Sequence, residues 1–228
     1  MRTISATSFS DYILCPSIYD YKYIQNYQDI FVEKSKDIEK GNIIHNLIDA
    51  HSKGLNYPLE YINEDVEIKN AYNYYLQKYS DNDLDTFNEY TFNFLINTDL
   101  EKVVLTGRID KIIFKKSDST IIDWKTTGKK TKLSLMLSKL QMEFYAFVIS
   151  KIKNIDSVNA KIVYLNLKEE ENIVFEKSDL DKIEKNIFKM IQGTNLKIKN
   201  YVPDPIELSP KRYMCEICNF YNFCKDYV

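Results

Sequence analysis

The spacing of hydrophobic positions changes several times along the chain, from the three-to-four interval of a helix face to the alternation of a strand. Segment 103–127, VVLTGRIDKIIFKKSDSTIIDWKTT, reads as two apolar strands, 103–114 and 120–125, joined by a polar turn near Ser117 and Asp118. Upstream, Ile38, Ile43, Ile44, Leu47 and Ile48 predict a one-sided helix over 37–53. A second helix is predicted over 65–80, with Tyr72, Tyr75 and Tyr79 as packing residues, and 87–96 alternates as a strand. Downstream, Leu133, Leu137, Leu140, Phe144, Phe147 and Val148 give a helix over 133–152 its apolar stripe. A second hairpin spans 158–176 and turns at KEEE, and Ser178 with Asp181 resembles a capping box for a helix reaching about Leu196. The extended stretch YVPDPIELSP then leads to a cysteine tail, KRYMCEICNFYNFCKDYV. At the opposite end, 5–23 predicts a helix capped by Ser8 or Ser10 that stops before Pro16, leaving Cys15 at its end and a second helix after it.

The hairpin carries residues that strands disfavour: Asp110 in its first strand, Asp123 and Lys125 in its second. Alternation puts Asp123 and Lys125 on one face and Ile122 and Trp124 on the other. Antiparallel pairing sets Asp110 opposite Lys125 or, in a neighbouring register, opposite Asp123, with Cβ atoms roughly 5 Å apart. Carboxylates that close repel, and they share a proton or bind a cation. Oxygen ligands suit a hard divalent ion; the plain alternative is a surface ladder of charges. A register with Asp110 opposite Trp124 would break the shared face.

Other candidates have two readings each. His45 stands at the edge of an apolar helix face, as a packing residue, a metal ligand or a substrate contact, whereas His51 looks exposed and is assigned nothing. Glu89 belongs either beside the acidic patch or at a solvated strand end. The loop TTGKKTK, with Lys129, Lys130 and Lys132, offers local charge for phosphates or is solvated surface. Gln141 and Tyr145 are four apart and share a helix face, fit for a phosphate or base edge, or for packing.

Composition narrows the picture. A chain of 228 residues fits one large domain, or a domain with an appendage, and 44% apolar with 28% charged residues describes a soluble globular protein. Net charge is −2, so any nucleic-acid binding must come from local patches. No apolar run approaches the roughly 18 residues of a membrane span, and MRTISATSFSDYILC lacks a signal-peptide core, so a cytoplasmic protein is expected. In a reducing compartment the cysteines would not form disulfides, and the C-x2-C-x5-C spacing of Cys215, Cys218 and Cys224 suggests thiolate ligands to a metal, with Cys15 as the remaining thiol.

Together GNIIH, GRID, IDWKTT and QMEFYAF, in that order, resemble the PD-(D/E)XK nuclease superfamily, specifically its RecB-type branch. The opening SATSFSDYILCPSIYDYKY, and Cys15 with CEICNFYNFC, are similar to the iron–sulfur members, the CRISPR-associated RecB-like exonucleases and the AddB nuclease domain among them. The resemblance implies an α/β fold with a restriction-endonuclease-like core, a central mixed sheet flanked by helices, in a single domain over 1–228. Its N- and C-terminal segments would be joined by a four-cysteine metal cluster, Cys15 and 211–228 forming the clamp. It implies that Asp110 and Asp123 bind a catalytic metal, with the Trp124 carbonyl and His45 as further ligands. Lys125 would orient or deprotonate the attacking water, and Gln141, Tyr145, Lys129 and Lys130 would meet the substrate. The family's second acidic position is often Glu; here it is Asp123. An imidazole ligand makes Mn²⁺ at least as suitable as Mg²⁺.

For Cys15, Cys215, Cys218 and Cys224 the resemblance favours a 4Fe-4S cluster over Zn²⁺, whose knuckles usually come as paired C-x2-C units. The expected function is a metal-dependent DNA nuclease, an exonuclease on single-stranded ends, in DNA repair, recombination or CRISPR adaptation. Expected partners are DNA and other subunits of a repair or adaptation complex, with no membrane. Two alternatives stand beside it: a non-catalytic DNA-binding or scaffolding subunit, and a zinc-stabilised nucleic-acid module.

Overall fold

Among the described residues six strands make one mixed sheet: β1 (Arg2–Ser5), β2 (Thr86–Asn97), β3 (Lys102–Phe114), β4 (Ser119–Lys125), β5 (Ser157–Tyr164) and β6 (Glu169–Glu176). The computed structural model describes residues 1–27, 36–55, 65–80, 85–115, 118–194, 215 and 218–224. Ser117, Leu196, the connector 201–210 and part of the cysteine tail lie outside them.

The topology turns on β3. Along one edge it pairs with β2, antiparallel, from Thr86↔Ile113 to Asn97↔Lys102. Its other edge is shared: β1 pairs in parallel with Val103–Thr106 and β4 pairs antiparallel with Lys111–Phe114. Residues 107–110 pair with neither, so β1 and β4 part there like the arms of a fork. β4 then pairs in parallel with β5, and β5 antiparallel with β6.

Helices cover both faces. On one lie α1 (Ala6–Leu14), α5 (Lys132–Lys153) and α6 (Lys177–Gly193), packed on Leu105, Ile109, Ile112, Ile121 and Ile162. On the other lie α3 (Lys36–Ser52) and α4 (Val66–Tyr79), packed on Ile122, Trp124, Val163 and Leu165. Strand β4 is buried on both sides because α5 covers one face and α3 and α4 the other. Ile121 and Ile122 therefore belong to different cores, and Trp124 meets Tyr75 and Tyr79 edge-on at 5.6 and 5.1 Å. The tyrosines of α4 pack, as the sequence suggests.

Helix starts differ from the sequence reading. β1 is too short to show alternation, and it runs directly into α1. Ser5 is therefore the cap, and Ser8 is its partner within the first turn: the Ser8 N–H donates to Ser5 Oγ at 3.2 Å. Cys15 ends α1, its N–H donating to the Asp11 carbonyl at 2.9 Å. Pro16 then opens a short α2 (Pro16–Tyr19), which widens into a π-helical turn, Asp20–Ile24, instead of one continuous helix. Likewise β6 passes straight into α6, so the cap is Glu176, with its N–H donating to Asp179 Oδ2 at 3.4 Å, and Ser178 lies inside the helix.

Gly107 sits on β3 at the fork. A Cβ there would lie 2.6 Å from Phe92 Cζ and 2.9 Å from Tyr145 Cε1, both rings being buried. Gly107→Ala is expected to cost about 1–3 kcal/mol through overpacking, read as a lower urea midpoint; an unchanged midpoint would mean the rings yield freely.

Candidate active site

At the fork, side chains serve the backbone where strand partners end. The Trp124 N–H donates to Asp110 Oδ2 at 2.8 Å, and the Tyr145 hydroxyl donates to the Arg108 carbonyl at 2.9 Å. The β3–β4 ladder stops at Lys111↔Ile122, and one step further sets Asp110 opposite Asp123. Of the two registers the sequence leaves open, the structure adopts the second, and Asp110 is not opposite Trp124.

Asp123 and Lys125 share the α5 face of β4. Lys125 Nζ lies 2.8 Å from Asp123 Oδ2 and donates to Gln141 Oε1 at 2.9 Å, and Gln141 Nε2 donates to the Tyr145 hydroxyl at 3.2 Å. A polar chain thus runs from β4 through α5 to the Arg108 carbonyl on β3. The helical spacing of Gln141 and Tyr145 is what lets two α5 side chains reach both strands at once.

His45 arrives from α3, on the opposite side of the sheet, with Nδ1 3.6 Å from Asp110 Oδ1. Glu89 arrives from β2. One ligand atom each from His45, Glu89 and Asp110 lies within 4.8 Å of the others. Asp123 is held by Lys125 instead. A nitrogen and two carboxylate oxygens form a donor set suited to Mg²⁺ or Mn²⁺, the imidazole tilting it toward Mn²⁺.

Electrostatics fit the same reading. Burial, then the nearby Asp123 charge, hold the Asp110 carboxyl well above its ordinary range, while the bond from Trp124 works against them. Burial lowers the His45 pKa, so the ring is neutral near pH 7 and keeps a lone pair for a cation. For Lys125, burial works downward, but Asp123 and Asp110 outweigh it and the pKa rises. Tyr145 is pushed up to about 12, chiefly by burial, and stays a hydroxyl donor.

A cleft of about 720 Å³ opens beside His45, lined by Lys40, Asn42, Asn70, Thr127, Lys129 and Asn166 among others. Lys129 is exposed there, but Lys130 is already matched: its Nζ lies 2.9 Å from both Glu169 and Glu171 and 4.0 Å from the centre of the Tyr164 ring. The exposed His51 lies edge-on to Tyr72 and Tyr75. Arg108 was not singled out in the sequence; its Nε lies 2.8 Å from Glu89 Oε2 at the mouth of the site. Its position two residues before Asp110 was the available signal.

None of the four cysteines is in a disulfide, and all are half-buried. Phe220 stacks on Tyr21 at 5.4 Å, and Cys224 Sγ lies 3.7 Å from the Tyr21 hydroxyl, so tail residues meet the segment just after Cys15. Burial raises the Cys218 thiol, with Cys15, Cys224 and Cys215 adding to the rise. No three of them lie within 4.8 Å of one another among the described residues.

Comparisons with known proteins agree with this architecture. No curated protein matches the chain. Among solved structures, the crystal structure of SSO0001 is 18% identical, covers 100% of this chain and 88% of its own, and superposes with a TM-score of 0.54, a likeness of fold. That of Scheffersomyces stipitis Rai1 in complex with (3'-NADP)+ and calcium ion is 12% identical over 81% of this chain and 54% of its own, with a TM-score of 0.29, too low to carry an argument. A family model matches residues 3–225, nearly the whole sequence. With a mixed sheet flanked by helices and an acidic site at its fork, the chain belongs to the PD-(D/E)XK nuclease superfamily.

Proposed function

We propose that the protein is a metal-dependent deoxyribonuclease, an exonuclease acting on single-stranded DNA ends in repair, recombination or CRISPR adaptation. The observation that carries the nuclease reading is the convergence at the fork of Asp110, Asp123 and Lys125 with His45. The exonucleolytic mode, the single-stranded substrate and the cellular setting rest on the likeness of the motifs to the RecB-type branch.

Asp110, Asp123, His45 and the Trp124 carbonyl would hold the cation. When bound, it neutralises charge on the phosphate and brings the pKa of water toward neutrality. Lys125, its ammonium 2.8 Å from Asp123 Oδ2, would orient or deprotonate the attacking water and meet charge growing on the phosphate. Gln141 fixes its direction, and Tyr145 fixes Gln141. In the cleft, Lys129 and the Asn42 and Asn166 amides offer donors to a nucleotide strand.

Cys15, Cys215, Cys218 and Cys224 would hold a 4Fe-4S cluster. What supports this over zinc is the likeness of Cys15 with CEICNFYNFC to the iron–sulfur members, and the single C-x2-C pair where zinc knuckles usually carry two.

End-labelled single- and double-stranded DNA with Mn²⁺ or Mg²⁺ tests the site. Wild type is expected to degrade single strands, and Asp123→Ala and Lys125→Ala to lose at least about 100-fold in rate while keeping wild-type circular dichroism. Equal cleavage by wild type and Asp123→Ala would sink the site, and cleavage by neither would favour a scaffold. Anaerobically purified protein is expected to be brown, and Cys215→Ala to lose both the colour and thermal stability. A colourless wild type carrying zinc would overturn the iron–sulfur reading.

A further inference from the structure

We propose that Arg108 grips a backbone phosphate of the DNA strand beside the scissile bond; the proposal rests on the nuclease reading above. Gly107 and Ile109 turn toward α5, so alternation puts Arg108 and Asp110 on the other face of β3, the one His45 approaches from α3. Their Cα atoms stand about 7 Å apart at the rise of a strand, a distance comparable to the step between neighbouring phosphates of an extended chain. The Arg108 backbone is fixed on both edges: it pairs with Thr91 of β2, and its carbonyl accepts from the Tyr145 hydroxyl at 2.9 Å. A rigid strand thus carries a side chain that is 67% exposed.

The donors of that side chain are unspent. A guanidinium has five N–H donors in a planar fork that matches two phosphate oxygens at once. Arg108 Nε lies 2.8 Å from Glu89 Oε2, yet that oxygen is buried without a hydrogen bond, so the contact is one of charge and not of aligned donors. Among the described residues the Arg108 side chain makes no other ion pair and no hydrogen bond. Glu89 therefore keeps the guanidinium at the mouth and leaves its fork to a ligand with two oxygens. Neighbouring cations are engaged elsewhere: Lys125 with Asp123 and Gln141, Lys130 with Glu169 and Glu171, Lys40 with Asp65. Glu89, Asp110 and Asp123 meanwhile face an approaching strand with negative charge. A phosphate there needs a cation whose donors are free, and Arg108 supplies one from outside the cleft that Lys129 lines.

The test follows steady-state cleavage of single-stranded oligonucleotides by wild type, Arg108→Ala, Arg108→Lys and, as a charge control, Lys151→Ala, which removes a cation paired with Glu184. Arg108→Ala is expected to raise KM at least about tenfold while kcat changes less than about threefold. The salt slope of log KM should fall by about one. Lysine at 108 should recover part of the loss, and Lys151→Ala should behave as wild type. Metal-free Arg108→Ala should melt as wild type does, since an exposed ion pair holds weakly. Oligonucleotides with one phosphate at a time replaced by an uncharged methylphosphonate then locate the contact: one linkage that weakens wild type should leave Arg108→Ala unaffected. An unchanged KM, or the same set of sensitive linkages in both proteins, would overturn the proposal and leave the nuclease standing. A fall in kcat at constant KM would overturn it too, since Arg108 would then act through Glu89 on the acidic site. If wild type cleaves no DNA, or Asp123→Ala cleaves as well as wild type, the nuclease reading falls and this proposal with it.

Discussion

Everything at the site depends on one constraint: a single edge of β3 must serve two strands that diverge. β1 takes its first half and β4 its second, which leaves residues 107–110 without a strand neighbour on that side. Unpaired backbone groups inside a protein are costly, so something must meet them. Asp110 takes the Trp124 N–H and Tyr145 the Arg108 carbonyl. The groups that repair the sheet are thus the ones presented to the cleft. Folding and chemistry use the same hydrogen bonds, which is why Gly107, with no side chain to intrude, stands in the gap.

A second consequence is electrostatic. Crossing strands bring Glu89, Asp110 and Asp123 together, against Lys125 and Arg108 as compensating charges. His45 adds none, because burial keeps the ring neutral near pH 7. Each carboxylate has a different outlet. Asp123 is neutralised by Lys125, Glu89 leans on an exposed arginine, and Asp110 accepts from a backbone amide, with no lysine or arginine paired to it among the described residues. Burial, with Asp123 adding to it, raises the Asp110 pKa. For Lys125 the balance is reversed: burial works downward and is outweighed by Asp123 and Asp110, so its pKa rises.

Much of this was legible in the sequence, for a specific reason. The period of two in a strand commits Asp123 and Lys125 to one face whatever the tertiary structure does, and the helical period commits Gln141 and Tyr145 likewise. What was not legible depends on neighbours distant in sequence. The matching of Lys130 by Glu169 and Glu171 needs the β5–β6 hairpin beside the loop after β4. The left-handed φ of 50° at Glu89 has no signature in its own residue type, since Glu rarely adopts it. β1 is four residues long and shows no alternation. The capping errors share one cause: both strands enter their helices without a turn, so the first helical residue comes earlier than punctuation suggests.

A run of contacts links Cys15, at the end of α1, to the fork. β1, one arm of the fork, is fixed at its start by Arg2, which pairs with Glu101 at 2.8 Å and donates to the Thr194 carbonyl at 2.9 Å. From its other end α1 runs without a break to Cys15, carrying Phe9 against Phe144 at 5.6 Å. Phe144 adjoins Tyr145, which closes the gap in β3. Four residue pairs with β3 are a modest hold for a strand on which the fork depends. Thiols joined at Cys15 would anchor the end of α1 to the tail, and through Phe9 and α5 they would steady the Tyr145–Gln141–Lys125 chain. A clamp remote from the chemistry would then act on it by limiting how far one arm of the fork can move.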